Sequence, residues 1–168
     1  MKKIYIGIDN GTSGSIGIVR EGASSIFMET PVFKEQSYTK AKKNISRIAS
    51  VKLREVLSSA VGDTSPSEVM VVMERPLVNP GRFIATMSAL RALEATLVVV
   101  EGLGYPHMYV DSRDWQKKLL PKDAHGEELK SASHDIGIRL FPHLEEPIRK
   151  HGDADGILMA EWARREGL

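Results

Sequence analysis

The run EVMVVMERP, residues 68–76, constrains the fold of this chain more than any other segment. Five consecutive apolar residues stand between two acids, and Pro76 ends the run. An uninterrupted apolar run of this length is typical of a strand that is buried on both faces of a sheet. We therefore expect this strand near the centre of a sheet that is flanked by helices, with Glu74 at its end.

The rest of the pattern predicts an α/β domain with a mixed central sheet. Glycines mark the turns between the first strands, and caps and prolines mark the helix ends. Three strands in a meander followed by strands that alternate with helices are typical of this class. The predicted strands lie at 3–9, 15–20, 24–30, 68–76 and 107–111. The predicted helices lie at 40–60, 81–101, 112–120 and 126–141, with a last helix in 151–168.

Length and composition narrow the protein class. A chain of 168 residues is long enough for one domain with a full core, and we expect a single domain over 1–168. The absence of cysteine excludes disulfides, iron–sulfur clusters and thiolate zinc sites. The N-terminal MKKIYIG is too short for a signal peptide, and ATLVVVEGLG, interrupted by Glu101, is too short to span a bilayer. We expect a cytoplasmic protein with no membrane association.

Four acids lie at the edges of apolar elements. Asp9 ends the first strand, Glu74 ends the buried strand, and Asp153 and Asp155 open the last helix. Taken singly, each is as often a turn former or a helix cap. Taken together, they predict a carboxylate cluster at the strand ends, where open α/β sheets bind ligands.

Converging carboxylates without a basic partner repel one another, and a hard cation relieves that repulsion. Mg²⁺, with Mn²⁺ as a substitute, prefers such oxygen ligands. Two such ions could activate a water and stabilise the leaving 3′ oxygen of a phosphodiester. The cluster therefore indicates phosphoryl transfer or hydrolysis.

Basic residues concentrate in one segment although the net charge is only +1. Between Glu35 and Glu55 there are six bases and no acid. On the predicted helix 40–60, Lys40, Lys43 and Arg47 share one face, which would fit a phosphate backbone. A plain solvated helix surface is an equally good interpretation of this stretch alone.

With these motifs in place, the sequence resembles the RuvC family of Holliday-junction resolvases, within the RNase H-like superfamily, and especially its bacteriophage members. The resemblance runs through nearly the whole chain. IGIDNGTSGSIGIV is similar to the first hairpin of that family, VVMERP to the fourth strand, NPGRFIATMSALRALEA to the helix that follows, and DADGILMAEWA to the closing helix. The resemblance implies an RNase H-like fold with a five-stranded mixed sheet flanked by helices.

The resemblance also implies metal-binding roles for Asp9, Glu74 and Asp155, with two Mg²⁺ ions per site. The family carries a fourth acid or histidine three residues before the final Asp, where this chain has Gly152. Asp153 is favoured as the fourth group because a carboxylate suits Mg²⁺. His151, which would share a helical face with Asp155, stays a rival as ligand or proton donor.

The implied substrate is four-way or otherwise branched DNA, cut by a homodimer that needs no nucleotide. Helix 81–101, rich in alanine and serine, is the expected dimer surface, although one of its faces must pack on its own sheet. Candidate DNA contacts are Lys40, Lys43, Arg47, Arg82, Lys117, Lys118, Lys122 and Lys130. Phe83, Trp115 and Trp162 are expected to be core residues.

Three alternatives stay open. GIDNGTSGS is also similar to the phosphate motif of sugar kinases, but those enzymes need two large lobes and this chain has room for about one. Another RNase H-like nuclease, acting on RNA/DNA hybrids or flaps, would use the same acids. A non-catalytic fold that binds DNA or nucleotide would have no use for clustered carboxylates beside phosphate.

Overall fold

The computed structural model describes residues 3–38, 40 and 43–168, and its main sheet has five strands. These strands follow the order β3-β2-β1-β6-β7, and β4 and β5 form a separate two-stranded sheet. β1 pairs antiparallel with β2 and parallel with β6, so the main sheet is mixed. The strands are β1 Ile4–Ile8, β2 Ser15–Arg20, β3 Ile26–Glu29, β4 Val32–Gln36, β5 Asn44–Ile48, β6 Val69–Glu74 and β7 His107–Val110.

Six α-helices in the described residues cover the two faces of this sheet. They are α1 Ser50–Val61, α2 Phe83–Gly102, α3 Ser112–Leu119, α4 Glu127–Leu140, α5 Glu145–His151 and α6 Asp155–Glu166. One hydrophobic core lies between the sheet and the pair α1 and α2, and a second lies between the sheet and the helices α3 to α6. The predicted five-stranded mixed sheet flanked by helices is confirmed.

The predicted basic helix at 40–60 is wrong in its first part. The strands Val32–Gln36 and Asn44–Ile48 pair as the β4–β5 hairpin, and the helix begins only at Ser50. Lys40 and Lys43 therefore lie in the connection between two strands and Arg47 lies in β5, while Lys42 falls outside the described residues. The three bases do not share a helical face. Ile45 lies opposite Glu35 in the antiparallel pair that these two strands form.

The predicted last helix is also divided. α5 ends at His151, Gly152 adopts a left-handed conformation with φ of 100°, and α6 begins at Asp155. Such a glycine commonly ends a helix, because it has no Cβ to clash in that conformation. His151 and Asp155 thus belong to different helices, and the expected shared helical face does not exist.

α2 begins as predicted, after a capped 3₁₀ turn at Pro80–Arg82. The Asn79 side chain accepts a hydrogen bond from the Gly81 backbone N–H at 2.9 Å. Within the described residues, Pro80–Gly102 is long and apolar enough to cross a membrane, judged by length and composition alone. This segment is longer than the run ATLVVVEGLG that was considered from the sequence. One side of this helix packs into the core beneath the sheet through Ala92, Val99 and Val100.

α6 lies directly on the backbones of β1 and β2 because glycines meet at the contact. A Cβ at Gly7 would overlap the backbone of Gly156, and a Cβ at Gly17 would overlap that of Ile157. A Cβ at Gly156 would lie 2.8 Å from the carbonyl oxygen of Ser15, whose hydroxyl accepts a hydrogen bond from the Gly156 N–H at 3.1 Å. The first turn of α6 is therefore fixed against the turn that follows β1.

We expect Gly17→Ala to destabilise the protein by about 1–3 kcal/mol or more, because the added methyl group meets backbone that cannot move aside. Urea unfolding followed by far-UV circular dichroism measures this loss. Gly102→Ala is the matched control, since the new Cβ there meets only the flexible end of Arg54, at 3.2 Å. A Gly17→Ala protein as stable as that control would contradict the close contact.

Candidate metal centre

Asp9 and Glu74 follow two strands that are neighbours in the sheet. In the parallel pair of β1 and β6, Ile8 lies opposite Met73, so the two acids come next at the same edge. The Asp9 N–H donates to the Ser15 carbonyl at 3.0 Å, which closes the hairpin and holds the backbone of Asp9 in place. The prediction that these strand ends meet is confirmed by this pairing.

Asp155 reaches the same edge from the first turn of α6. The Ser133 hydroxyl, from α4, donates to Asp155 Oδ1 and accepts a hydrogen bond from the Ala154 N–H at 3.1 Å. Ser133 is almost fully buried. Sequence reasoning missed it; the available signal was a hydroxyl on the inward face of a helix, where an apolar residue would be expected.

Asp153 lies between two basic side chains. Its Oδ1 is 3.4 Å from His151 Nε2, and its Oδ2 is 3.9 Å from Lys130 Nζ. Burial acts to raise the pKa of Asp153, but the hydrogen bond and positive charge of His151 outweigh it and hold that pKa below its usual range. The same hydrogen bond raises the pKa of His151. Both candidates for the fourth group therefore lie in the cluster, in contact with each other.

Asp9, Asp153 and Asp155 converge closely enough to share one ion. One carboxylate oxygen from each lies within 4.8 Å of the other two. Burial raises the pKa of Asp9 well above its ordinary value, and the charges of Glu74, Asp155 and Asp153 raise it further. The protein supplies little compensating charge to Asp9.

Glu74 and Asp155 are also buried acids with raised pKa values. Burial, together with the charge of Asp155, raises the pKa of Glu74 to about 7. Burial raises the pKa of Asp155 to about 6, although the Ser133 hydroxyl opposes the shift. The buried indole of Trp115 is near enough to Glu74 to favour its charged form, but its Nε1 lacks a hydrogen bond of normal geometry. As predicted, Trp115 and Trp162 are core residues.

This donor set fits a hard divalent cation. The groups are carboxylates, and three of them converge within 4.8 Å. Burial and the charges of neighbouring acids raise the pKa values of Asp9, Glu74 and Asp155. A bound Mg²⁺ or Mn²⁺ would supply the missing positive charge and accept this ligand type. Asp9, Asp153 and Asp155 could hold one ion together, and Glu74 lies beside Asp9 across the strand pair.

Two of the predicted DNA contacts lie at this centre. Lys130 lines a cavity of about 330 Å³ together with His151 and Asp153. Arg82 lines a smaller cavity of about 230 Å³ together with Glu74. One of these basic residues thus shares a cavity with Asp153, and the other shares a cavity with Glu74.

The other predicted DNA contacts lie outside the cluster. Lys117 pairs with Asp114 at 3.1 Å on α3, and Lys118 lies 3.6 Å from Glu166. Lys122 follows α3 and lines a surface cavity with Lys117. Lys40, Lys43 and Arg47 belong to the β4–β5 hairpin region, and Phe83 is 64% exposed rather than buried as expected.

Comparison with solved structures shows the same fold. T. thermophilus RuvC in complex with Holliday junction substrate matches with a TM-score of 0.59 and 15% sequence identity, over 98% of this chain and 96% of that one. A second Thermus thermophilus RuvC structure matches with a TM-score of 0.53 and 16% identity over the same shares. No protein-family model and no curated protein matches the sequence. The chain thus has a RuvC-like fold of the RNase H-like type.

Without a divalent cation, the folded protein should lose stability as the pH rises. The pKa values of Glu74 and Asp155 are raised to about 7 and about 6, from ordinary values of 4.5 and 3.8. The folded state therefore binds more protons than the unfolded chain in this window, so the free energy of unfolding decreases with rising pH. His151, with its raised pKa, acts in the same direction.

Thermal unfolding in EDTA between about pH 5 and pH 7.5 measures this effect, which we expect on the order of 1–2 kcal/mol. Asp155→Asn, which removes one of the charges, should flatten the dependence, and Mg²⁺ should do the same in the unaltered protein. A free energy of unfolding that rises across this range would refute the proposed charge balance.

Proposed function

We propose that this protein is a metal-dependent, structure-selective endodeoxyribonuclease that cuts four-way and other branched DNA as a homodimer. The convergence of Asp9, Asp153 and Asp155, with Glu74 beside them, is the observation that carries this proposal. The RuvC-like fold supports it, since one matched structure is a RuvC bound to a Holliday junction. A role in DNA recombination and repair, possession by a bacteriophage and action in the host cytoplasm belong to the same proposal.

Asp9, Glu74, Asp153 and Asp155 are the proposed metal ligands. Asp9 and Glu74 lie on adjacent strands of the sheet, while Asp155 is held by the Ser133 hydroxyl, so three of the four have restricted positions. His151 is 3.4 Å from Asp153 and is the proposed positioning group for that carboxylate. Two ions per site remain the prediction.

Two bound Mg²⁺ ions would supply an activated water and charge stabilisation at the leaving 3′ oxygen of the phosphodiester. The chain itself would bind and orient the DNA. Lys130, 3.9 Å from Asp153, is placed to contact a phosphate oxygen that enters the cluster. Arg82 would contact the backbone on the other side, beside Glu74. The products would carry a 5′-phosphate and a 3′-hydroxyl.

Cleavage of a labelled synthetic four-way junction in Mg²⁺, beside linear duplex and an RNA/DNA hybrid, tests this proposal. Paired cuts in the junction are expected, and Asp9→Asn should lower the rate on the order of 100-fold or more, because it removes a ligand charge. Asp63→Asn, an exposed acid after α1, is the matched control and should cut normally.

The outcomes separate the alternatives. Cleavage of the hybrid alone would keep the metal centre but assign a different RNase H-like activity. If no substrate is cut in Mg²⁺ or Mn²⁺, the nuclease proposal is wrong. A thermal stabilisation by nucleotide would instead support a kinase-like protein.

The exposed side of α2 is the proposed dimer surface. Phe83, Met87 and Leu90 recur at helical spacing on one face and are 64%, 38% and 40% exposed. Of the small residues on this helix, Ala92 is buried and Ala95 packs against the core, while Ala85 is exposed. Large apolar side chains in solvent favour a protein partner, and a second copy would pair this ridge with itself.

Leu90→Glu should convert a dimer into a monomer, because two such ridges would then bring like charges together in an apolar interface. Sedimentation equilibrium measures the change. Val51→Glu, on an exposed position of α1, is the matched control and should leave the mass unchanged. A wild-type protein that sediments as a monomer at all concentrations would exclude this surface as a dimer interface.

A further inference from the structure

A groove of about 550 Å³ separates the β4–β5 hairpin from α2. This volume falls in the range of about 300–1,000 Å³ that is typical of ligand-binding clefts. One wall comes from the hairpin region and the other from α2, and neither belongs to the carboxylate cluster. The residues that matter below are Thr12, Tyr38, Arg47, Ser88 and Arg91.

Arg91 provides an uncompensated positive charge in this groove. Its Nη1 donates to the Tyr38 hydroxyl at 3.2 Å, and its guanidinium lies 5.7 Å from the centre of the Tyr38 ring. Its buried Nε has no hydrogen-bond partner among the residues that the structure describes. Among the described residues no acid lies within ion-pair distance of Arg91, although Glu94 lines the same groove. A buried donor of this kind favours an anionic ligand, which would accept the unused hydrogen bonds.

Tyr38 offers an exposed aromatic surface beside this charge. The residue is 66% exposed although Arg91 covers one face of its ring. Phe33, also on the hairpin, is 42% exposed and lies beneath the Arg47 guanidinium. Large aromatic side chains in solvent that also carry arginine partners are typical of surfaces on which nucleic-acid bases stack.

The charge around the groove suits a polyanion. Segment 31–50 contains five bases against one acid, Glu35, which gives a formal charge of +4. Glu35 pairs with Arg47, so one of those bases is neutralised in place. The positive charge is concentrated in this segment, because the rest of the chain carries a formal charge of −3 within a total of +1.

The β1–β2 turn contributes both to the groove and to the cavity beside the candidate metal centre. Thr12, in that turn, lines both the groove and the cavity that contains Lys130 and Asp153. Asn10, next to Asp9, donates to the Ala89 carbonyl of α2 at 3.1 Å and so fixes the turn against the groove wall. A strand lying in the groove would reach the carboxylates by passing this turn.

We propose that the groove binds an unpaired stretch of the DNA substrate beside the branch point. A base would stack on the free face of the Tyr38 ring, and a neighbouring phosphate would accept hydrogen bonds from Arg91. Duplex DNA would not bind here in this way, because its bases are already stacked on each other. This inference rests on the proposed function and adds a single-strand site to it.

Binding of a labelled oligothymidine, measured by fluorescence anisotropy in EDTA, tests the groove independently of the metal centre. We expect Tyr38→Ala to weaken binding about 5- to 150-fold, the range for loss of one stacked base. Tyr38→Phe, which keeps the ring, should retain most of the affinity. Arg91→Gln should weaken binding. It should also reduce the slope of log affinity against log salt concentration by about one, the contribution of about one phosphate contact.

Two controls separate stacking from general charge. Arg139→Gln removes an exposed positive charge on α4 outside the groove and should change the affinity little. An abasic deoxyribose-phosphate oligomer should bind Tyr38→Ala and wild type equally, because there is no base to stack. The inference is wrong if the Tyr38→Ala and Arg91→Gln proteins bind oligothymidine as tightly as wild type does. It is also wrong if Tyr38→Ala weakens binding of the abasic oligomer as much as it weakens binding of oligothymidine.

Junction cleavage distinguishes this inference from the proposed function. If the wild-type protein cuts the junction and the groove variants bind and cut it normally, the groove inference alone is wrong. A protein that binds oligothymidine through Tyr38 and Arg91 but cuts no branched DNA would refute the proposed function and leave the groove as a single-strand binding site.

Discussion

The backbone contact between α6 and the first hairpin determines where the carboxylates can lie. Gly7, Gly17 and Gly156 remove the side chains that would hold a helix about 10 Å from a sheet, so α6 packs with its first turn against β1 and β2. That turn carries Asp155, and the hairpin carries Asp9. The distance between the two acids is therefore set by backbone packing rather than by flexible side chains.

This rigid placement accounts for the charge distribution at the site. Asp153 has His151 and Lys130 as partners, and its pKa is lowered despite its burial. In the described part of the chain, no basic side chain lies within ion-pair distance of Asp9, Glu74 or Asp155, and burial raises the pKa of each. A cluster that served only stability would be expected to pair its charges, since an unpaired buried charge is costly. The imbalance instead indicates a site that receives its positive charge from a bound cation.

The parts of the fold and site that follow from local pattern were predictable. Burial on both faces identified β6, and strand ends identified Asp9 and Glu74, because neighbouring parallel strands end at one edge. The β4–β5 hairpin could not be predicted in this way, since the basic residues of segment 40–47 indicate solvent exposure without distinguishing a helix from a strand. Ser133 and Trp115 were not assigned to the site because their contacts with Asp155 and Glu74 join distant parts of the chain.

The division of the last helical segment bears on the choice of the fourth group. Had the helix been continuous, His151 and Asp155 would have shared a face and His151 would have been the natural ligand. The left-handed Gly152 instead turns the chain, so that Asp153 contributes an oxygen within 4.8 Å of Asp9 and Asp155, with His151 in contact behind it. A carboxylate directed at the cluster and an imidazole directed at that carboxylate is the arrangement of a ligand and its orienting partner. On this argument we propose Asp153 as the fourth ligand, with His151 as the group that holds it in place.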